Sequence, residues 1–244
     1  METGKTSKYL KYAIGEIVLV VIGILIALSI NNWNEVRKQR NEERELLGNL
    51  KLEFSRKLME LEGKNDGRMI NIEEIDQLLK IIADENDEIP EGEMMTLLEN
   101  ISTWFYVNEE FSIIEMLFYS GKINTISNDS LKSRIIAWPD KMEEMLEEQR
   151  VLQDVIENRL NPLVQDYVSL TNRMYHYSIK HPNSWIGDET IEGKYPNDFK
   201  GLIRDRKFES LISYKKLLLN INYKDSEVLI NDTKAILDLI NEAL

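Results

Sequence analysis

One acidic side chain lies inside a long apolar stretch near the start of the chain. The eighteen residues 13–30 (AIGEIVLVVIGILIALSI) contain a single ionisable group, Glu16. An acid within a membrane span is a candidate proton carrier, as in pumps and transporters. Glu16 lies only ~4.5 Å inside the apolar edge at ~1.5 Å of rise per residue, so its carboxylate can also reach the interface. A role in proton transfer and a structural position at the interface both stay open.

Common catalytic and metal-binding motifs are missing from the sequence. His176 and His181 are five residues apart, which places them on different faces of a helix, and no Glu-x-x-His pair accompanies the many carboxylates. The chain contains no cysteine, which excludes disulfides, zinc–thiolate sites and thiol nucleophiles. It also lacks a Gly-rich phosphate loop, G-x-S-x-G and H-E-x-x-H. We therefore expect no catalytic residue, no metal and no cofactor, in a protein that is not an enzyme.

A second group of candidates lies in a segment without helical periodicity, residues 169–205. It contains the aromatic residues Tyr175, Tyr177, Trp185 and Tyr195. Aromatic rings with a polar end are typical of ligand pockets and of partner-binding grooves. They also suit an irregular cap that covers the open end of a helical bundle. The sequence predicts an irregular insertion here and leaves both interpretations open.

The apolar stretch itself predicts a transmembrane helix that anchors the chain in the lipid bilayer. Eighteen residues reach ~27 Å against ~30 Å of hydrocarbon. The twelve Leu, Ile and Val side chains favour insertion by ~0.3–0.6 kcal/mol each and outweigh the ~2–3 kcal/mol cost of one acid. Tyr9 and Tyr12 precede the stretch and Trp33 follows it, where aromatic rings suit the two headgroup layers.

Two small residues indicate how this helix can pair with another. Gly23 and Ala27 are four residues apart and share a helix face with Glu16. A pair of small residues at this spacing permits close approach of two helices within a membrane. Besides the bilayer, we therefore expect a protein partner or a second copy of the chain.

Two stretches of the sequence carry a family resemblance. The first is residues 11–35, KYAIGEIVLVVIGILIALSINNWNE, and the second is residues 113–138, IIEMLFYSGKINTISNDSLKSRIIAW. They resemble the N-terminal signature and the middle segment of a family of uncharacterised single-pass membrane proteins of Bacteroidota, a domain of unknown function. The resemblance implies an architecture, in which helices follow a membrane anchor. It implies no catalytic residue.

The charge of the chain excludes one class of partner. The net charge is −13, and residues 1–30 contribute +1 from three lysines and two glutamates, which leaves −14 on residues 31–244. A domain this acidic repels phosphate backbones and anionic lipid surfaces. We therefore expect no nucleic acid partner.

Helical periodicity dominates the rest of the chain. A charged helical stalk (31–45) is expected to join the span to the first domain helix, in which apolar residues recur at spacings of three and four. The further predictions are a helix over 47–61, a break at GKNDG (63–67), and helices over 68–84, 92–103, 111–119, 129–163 and 207–242. Gly121 should close the fourth helix, and Ser127, Asn128 and Asp129 are candidate caps of the fifth, which Pro139 and Pro162 should kink.

These patterns predict an all-α protein. A short tail (1–12) and a transmembrane helix (13–30) precede the stalk, and residues 46–244 form an antiparallel bundle of four or more helices with the irregular insertion. Two of the helices should be about forty residues long. WFYV (104–107) suits either the end of a helix or an extended crossing.

The flanks of the span decide its orientation only weakly. Three lysines and the α-amine precede it, and four basic residues follow: Arg37, Lys38, Arg40 and Arg44. Four glutamates neutralise the far flank, and a long domain translocates largely regardless of its charge. We predict an inner-membrane protein with its N-terminus in the cytoplasm and residues 31–244 in the periplasm. A cleaved signal peptide ending near Ala27-Leu28-Ser29 is the main alternative.

Three functions stay open at this point. The leading one is a membrane-anchored, non-enzymatic interaction or scaffold module, because apolar stripes and an acidic exterior remain once catalytic motifs are excluded. A sensor-like, extracytoplasmic ligand-binding bundle would act through the aromatic insertion. An accessory subunit of a proton-driven membrane complex would depend on Glu16.

Overall fold

The structure is a computed structural model that describes residues 3–84, 89–108, 110–184 and 190–244. Every regular element in this part of the chain is helical, which confirms the all-α prediction. The helices are α1 (Thr3–Ala83), α2 (Glu91–Ile101), α3 (Ser112–Ser120), α4 (Asp129–Val155), α5 (Asn161–Gln165), α6 (Leu170–Lys180), α7 (Phe199–Arg204) and α8 (Arg206–Ala243). A 3-10 turn (Lys122–Thr125) follows α3, and a π-helical turn (Ile156–Leu160) joins α4 to α5.

α1 runs without interruption for 81 residues, from the apolar stretch through the stalk into the bundle. The predicted continuity of span and domain helix is confirmed, whereas the predicted break at GKNDG (63–67) is wrong. A glycine costs a helix only ~1 kcal/mol relative to alanine. The buried stripe continues through the glycines, because Leu61, Asn65 and Arg68 are buried at spacings of four and three. The buried residues of α1 become polar after Leu61, so the apolar periodicity in the sequence stops there although the helix continues.

α8 lies antiparallel to α1 and to α4, as contacts along its length show. Lys216 pairs with Asp76 of α1, and Lys234, farther along α8, lies 2.7 Å from Glu62. Contacts with α4 follow the same order: Asn222 with the carbonyl of Met145, then Thr233 with Trp138. α8 has 38 residues, and α4, the π-helical turn and α5 form a second continuous stretch of similar length. Shorter helices pack at the sides of these three long ones.

Two hydrophobic clusters form the core. The cluster nearer the apolar stretch, which we call the Trp138 cluster, surrounds Trp138, whose ring packs edge-on against Phe54 and Phe111 at centroid distances of 5.4 and 4.6 Å. The distal cluster includes Ile75 and Phe208. Between the clusters, α1, α4 and α8 contribute buried polar residues, which we call the polar layer: Asn65, Arg68, Asn71, Gln149, Asn222 and Ser226.

Local sequence signals between the long helices are largely confirmed. Gly121 follows α3 with φ of 70°, the left-handed conformation that glycine adopts without strain. The side chain of Asn128 accepts a hydrogen bond from the Leu131 amide at 3.0 Å and caps α4. WFYV lies within a non-helical stretch, residues 103–108, which we call the crossing segment.

The two prolines of the fifth predicted helix are accommodated differently. Pro139 lies inside α4, whereas Pro162 lies in the first turn of α5, directly after the π-helical turn. A proline removes one amide donor and crowds the carbonyl four residues earlier. A wider turn before Pro162 relieves that crowding, so the irregularity expected near Asn161 occurs as a π-helical turn.

The predicted irregular insertion (169–205) is only partly irregular, since it contains α6 and α7. Apolar periodicity did not show α6, because its buried position is Asn172 while Met174 and Ile179 are exposed. This helix packs through polar contacts, which leave no apolar stripe in the sequence.

Candidate functional site

Residues 15–30 of the apolar stretch of α1 are not covered by any other element in the described part of the chain. Every residue from 15 to 30 is exposed, and Ile17, Leu19 and Leu28 have 60–71% of their surface accessible. Within the described residues, α1 alone is long and apolar enough to cross a membrane, judged by length and composition. This exposed apolar helix is a candidate membrane span.

The candidates within this stretch do not contact the bundle. Glu16, Gly23 and Ala27 are exposed, and apart from the adjacent backbone of α1 no described atom lies within 4 Å of a Cβ built on Gly23. Their roles in proton transfer and helix pairing therefore stay predictions. The side chains of Tyr9 and Tyr12 lie outside the described part of the chain.

The crossing segment is held by side chains of the long helices. Gln149 accepts a hydrogen bond from the Val107 amide at 3.1 Å, and Glu60 accepts one from the Asn108 amide at 2.7 Å. Lys57 donates to the Asn108 carbonyl at 2.7 Å. Buried backbone groups outside a helix need such partners, because leaving them unpaired costs free energy. These polar side chains therefore support the fold.

A buried lysine binds the backbone where α2 ends. Lys215 of α8 is fully buried, and its Nζ donates to the carbonyls of Ile101 and Thr103 at 2.6 and 3.2 Å. The last carbonyls of a helix lack amide partners and carry partial negative charge, which favours a cation there. Burial nevertheless lowers the pKa of Lys215 to about 7, although the nearby charge of Glu74 acts in the opposite direction.

Arg173 fastens α6 to the same helix end. Its Nη2 donates to the Leu98 carbonyl at 3.2 Å and to the Ser102 hydroxyl at 2.6 Å. Burial lowers the pKa of Arg173, while the charge of Glu99 raises it. Together with the lysine of α8, this contact fixes the end of α2 and the start of the crossing segment.

Arg68, in the polar layer, is fully buried and weakly bound. Its Nη1 and Nη2 donate to Asn65 Oδ1 and to the Phe105 carbonyl, each at 3.5 Å, the upper limit for a hydrogen bond. Its Nε has no partner among the described residues, and no described carboxylate forms an ion pair with it. Desolvation lowers the pKa of Arg68 to about 10.

The polar layer contains further buried atoms without a partner in the described part of the chain. They are Oδ1 of Asn71, Oδ1 of Asn222 and Oγ of Ser226. Each such atom is destabilising. Gln149 and Arg68 of the layer thus bind the backbone of the crossing segment, while these other polar atoms of the layer stay unpaired.

The two histidines contact different groups at α6. His181 Nε2 lies 3.2 Å from Glu99 Oε1, and its ring centroid lies 4.5 Å from that of Tyr177. His176 Nε2 is buried without a partner among the described residues. No group of three His, Cys, Asp or Glu side chains in the described part of the chain could hold a metal ion.

The aromatic candidates do not share one pocket. Tyr175 and Tyr177 are half-buried on α6, Tyr195 is 69% exposed in the following connection, and Trp185 lies outside the described residues. An open cleft of about 400 Å³ lies nearby, between the start of α2 and α7. Its lining residues are Ile89, Met94, Asn197, Asp198, Phe199, Lys200 and Ile203. A role of the tyrosines in ligand or partner binding stays a prediction.

One exposed group on α1 was not predicted from the sequence. Trp33, Arg37, Arg40 and Arg44 lie on one side of the helix just beyond the apolar stretch, and we call them the arginine face. Eight charges in residues 34–45 leave no apolar stripe, so the sequence predicts a solvated helical stalk and does not distinguish its sides. A helical projection at ~100° per residue would have separated them.

A comparison with models of known protein families identifies the family of this chain. The family model described as "Family of unknown function (DUF6090)" matches residues 16–161, more than half of the chain. The chain belongs to this family. The expectation of an uncharacterised family is confirmed. The matched region of this DUF6090 protein includes nearly all of the apolar stretch, the crossing segment and all of α4, whereas α6, α7 and α8 lie beyond it. No curated protein and no solved structure matches the chain.

Proposed function

We propose that this DUF6090 protein is a membrane-anchored, non-enzymatic helical module that binds a protein partner or a second copy of itself. One observation carries the proposal: α1 is a single helix with bare apolar side chains at one end and core residues at the other. Such a helix holds the bundle to the bilayer without a flexible joint. The anchor and the bundle then move together.

The stalk sets the distance between the bilayer and the bundle. The first buried side chain after the apolar stretch is Leu46, sixteen residues beyond Ile30, or ~24 Å along the helix axis. Three residues before Leu46, Glu43 accepts hydrogen bonds from the Ser127 amide and hydroxyl at 2.5 and 2.8 Å. The bundle therefore stands clear of the headgroups.

Apolar residues on the outside of α1 favour a partner-binding role. Leu52, Met59 and Ile70 are 57–65% exposed, and their spacings of seven and eleven residues return to nearly the same side of the helix. A row of exposed large apolar side chains on a long helix is typical of a surface that packs against another helix. Gly23 and Ala27 could extend this contact into the membrane.

Ligand binding is the second candidate function. The cleft beside α7 has a volume within the ~300–1,000 Å³ range of small-molecule sites, and it combines apolar with charged side chains. Under this alternative the bundle would act as an extracytoplasmic sensor.

The first experiment tests the anchor. Full-length protein should stay in the membrane fraction through an alkaline carbonate wash. Changing Ile22 and Ile26 to Asp should release it, because each acid in the middle of a span costs ~2.5–3.5 kcal/mol. Changing the exposed Leu52 and Met59 to Asp is the matched control and should leave the protein in the membrane. Wild-type protein that washes off the membrane would contradict the proposal.

Orientation is tested separately. We propose that the N-terminus is cytoplasmic and that the bundle is periplasmic, since the basic residues of the two flanks balance and a long domain translocates largely regardless of charge. Alkaline phosphatase fused after Leu244 should be active, and a fluorescent protein that folds only in the cytoplasm should be dark. A mature N-terminus near Ile30 would instead show a cleaved signal peptide.

The third experiment tests partner binding. Affinity purification in mild detergent should recover a partner, or a second differently tagged copy, with the wild-type protein. The Leu52→Asp and Met59→Asp variant should lose that partner while its circular dichroism stays helical. Recovery of the same partner with the variant would exclude this side of α1 as the binding surface.

A further inference from the structure

The stalk has two electrically different sides. At ~100° per residue, Arg37, Arg40 and Arg44 project within ~40° of Trp33. Glu35 and Glu42, in contrast, project ~180–200° away from it. The four basic and four acidic residues of the stalk cancel in the sequence. Glu43 and Glu45 project ~80° and ~120° from Trp33, so no acid lies within ~40° of it, whereas three of the four basic residues do. All four residues of the arginine face are exposed, and within the described residues the three arginines form no ion pair.

The arginine face continues an apolar side of the span. A shallow groove along the span is lined by Ile22, Leu25, Ile26, Ser29, Ile30 and Trp33. The next groove begins at the same tryptophan and is lined by Val36, Arg37, Arg40, Asn41 and Arg44. One side of α1 thus changes at Trp33 from hydrocarbon to positive charge. An anionic phospholipid has the same sequence of chemistry, from acyl chain to phosphate.

The arginines also point towards the bilayer. Side chains of a helix lean towards its N-terminus, which for the stalk is the direction of the span. The structure shows this for Arg37, whose guanidinium carbon lies 5.8 Å from the ring centroid of Trp33, four residues earlier. Side chains that lean the other way would hold their charge in the aqueous phase.

The rise of the helix places the arginines at graded heights. Measured from Ile30, the Cα atoms of Arg37, Arg40 and Arg44 lie at ~10, ~15 and ~21 Å along the axis. Each side chain reaches back about one turn, ~5 Å. The headgroup layer is ~5–8 Å thick, so Arg37 reaches the phosphates, Arg40 lies at their outer edge, and Arg44 is more distant. The acidic bundle begins beyond the ~8–10 Å over which salt screens its repulsion.

We infer that the arginine face of the stalk binds the phosphate headgroups of anionic phospholipids in the leaflet next to Trp33. The inference rests on the proposed membrane anchor and holds for either orientation of the chain. Arg37 contributes most, Arg40 less and Arg44 least, following their distance from the headgroups. The bound lipids fix the rotation of α1 and hence the direction in which the bundle faces.

The test measures lipid preference of the full-length protein in mild detergent. Native mass spectrometry should show tighter binding of phosphatidylglycerol than of phosphatidylcholine. A basic residue near an anionic surface contributes about a fivefold increase in affinity. Arg37→Gln should therefore reduce the preference about fivefold, and Arg37→Gln with Arg40→Gln should nearly abolish it. Lys38→Gln, the same change of charge ~140° around the helix from Trp33, is the matched control and should change it less than twofold.

Three results would overturn the inference. The first is a wild-type protein that binds phosphatidylglycerol no more tightly than phosphatidylcholine. The second is a loss of lipid preference in Lys38→Gln as large as that in Arg37→Gln. The third is a mass spectrum in which the wild-type protein carries an acidic protein instead of lipid and Arg37→Gln does not. Retention through the carbonate wash distinguishes this failure from failure of the proposed function. If the protein stays in the membrane but shows no lipid preference, only this inference is contradicted. If the protein washes off, the proposed membrane anchor is contradicted as well.

Discussion

Replacing Arg68 by methionine should make the bundle more stable. The guanidinium is fully buried, its two hydrogen bonds are 3.5 Å long, and within the described residues no carboxylate pairs with it. A buried charge without a close partner opposes folding, and apolar replacements of similar volume often stabilise such sites. Methionine has a flexible chain that can occupy much of the same space.

The size of the effect follows from the pKa of Arg68. Desolvation lowers it to about 10, well below the pKa of a solvated guanidinium. At ~1.36 kcal/mol per pH unit, this opposes the charged folded state by about 3 kcal/mol at every pH below 10. Methionine leaves the Phe105 carbonyl and Asn65 Oδ1 without their long hydrogen bonds, a loss of ~0.5–1 kcal/mol each. The net gain is about 1–2 kcal/mol, or a Tm about 2–8 °C higher for a domain of this size.

Thermal unfolding of full-length protein in detergent, followed by circular dichroism, measures this change. Arg56→Met is the matched control, since Arg56 is an exposed arginine on the same helix, and it should shift the free energy of unfolding by less than ~0.5 kcal/mol. A Tm of Arg68→Met below that of the wild type would refute the reasoning. It would show that water or an anion within the polar layer binds the guanidinium strongly enough to offset its burial.

Three further predictions test the contacts around the crossing segment and near the Trp138 cluster. Gly67→Ala should lower the Tm, because its Cβ would overlap the ring of Phe105 in the crossing segment. Gly63→Ala should instead raise the free energy of unfolding by ~0.5–1 kcal/mol, since apart from the adjacent backbone of α1 no described atom lies within 4 Å of the added Cβ. The Tm of the wild-type protein should rise between pH 7 and about pH 10, because Lys215 keeps its proton in the unfolded chain over that range but loses it in the folded protein, where its pKa is about 7. Lys215→Met should abolish this rise. Asp232→Asn should lower stability by ~1–2 kcal/mol in urea unfolding, because this buried carboxylate binds two basic side chains of α4, and the exposed Asp238→Asn should have little effect.

Much of the architecture follows from local sequence. The composition of residues 13–30 identifies the apolar helix without knowledge of any contact, because transfer free energy depends on the side chains alone. Gly121 and Asn128 mark the end of α3 and the start of α4, since left-handed backbone and amide capping are properties of single residues. The three-four rhythm likewise identifies α8 to within one residue at each end.

The continuity of α1 and the position of its polar residues were decided by tertiary structure. Asn65 and Arg68 resemble solvent-exposed residues in the sequence, so the interval around GKNDG (63–67) predicted a loop. Their partners are a carbonyl of the crossing segment and each other, and periodicity within α1 contains no information about that segment. The burial of Lys215 depends in the same way on carbonyls that lie more than 100 residues away in sequence. Local sequence determines where apolar surface must be buried, but it cannot show which polar groups must be buried to complete the hydrogen bonds of a distant backbone.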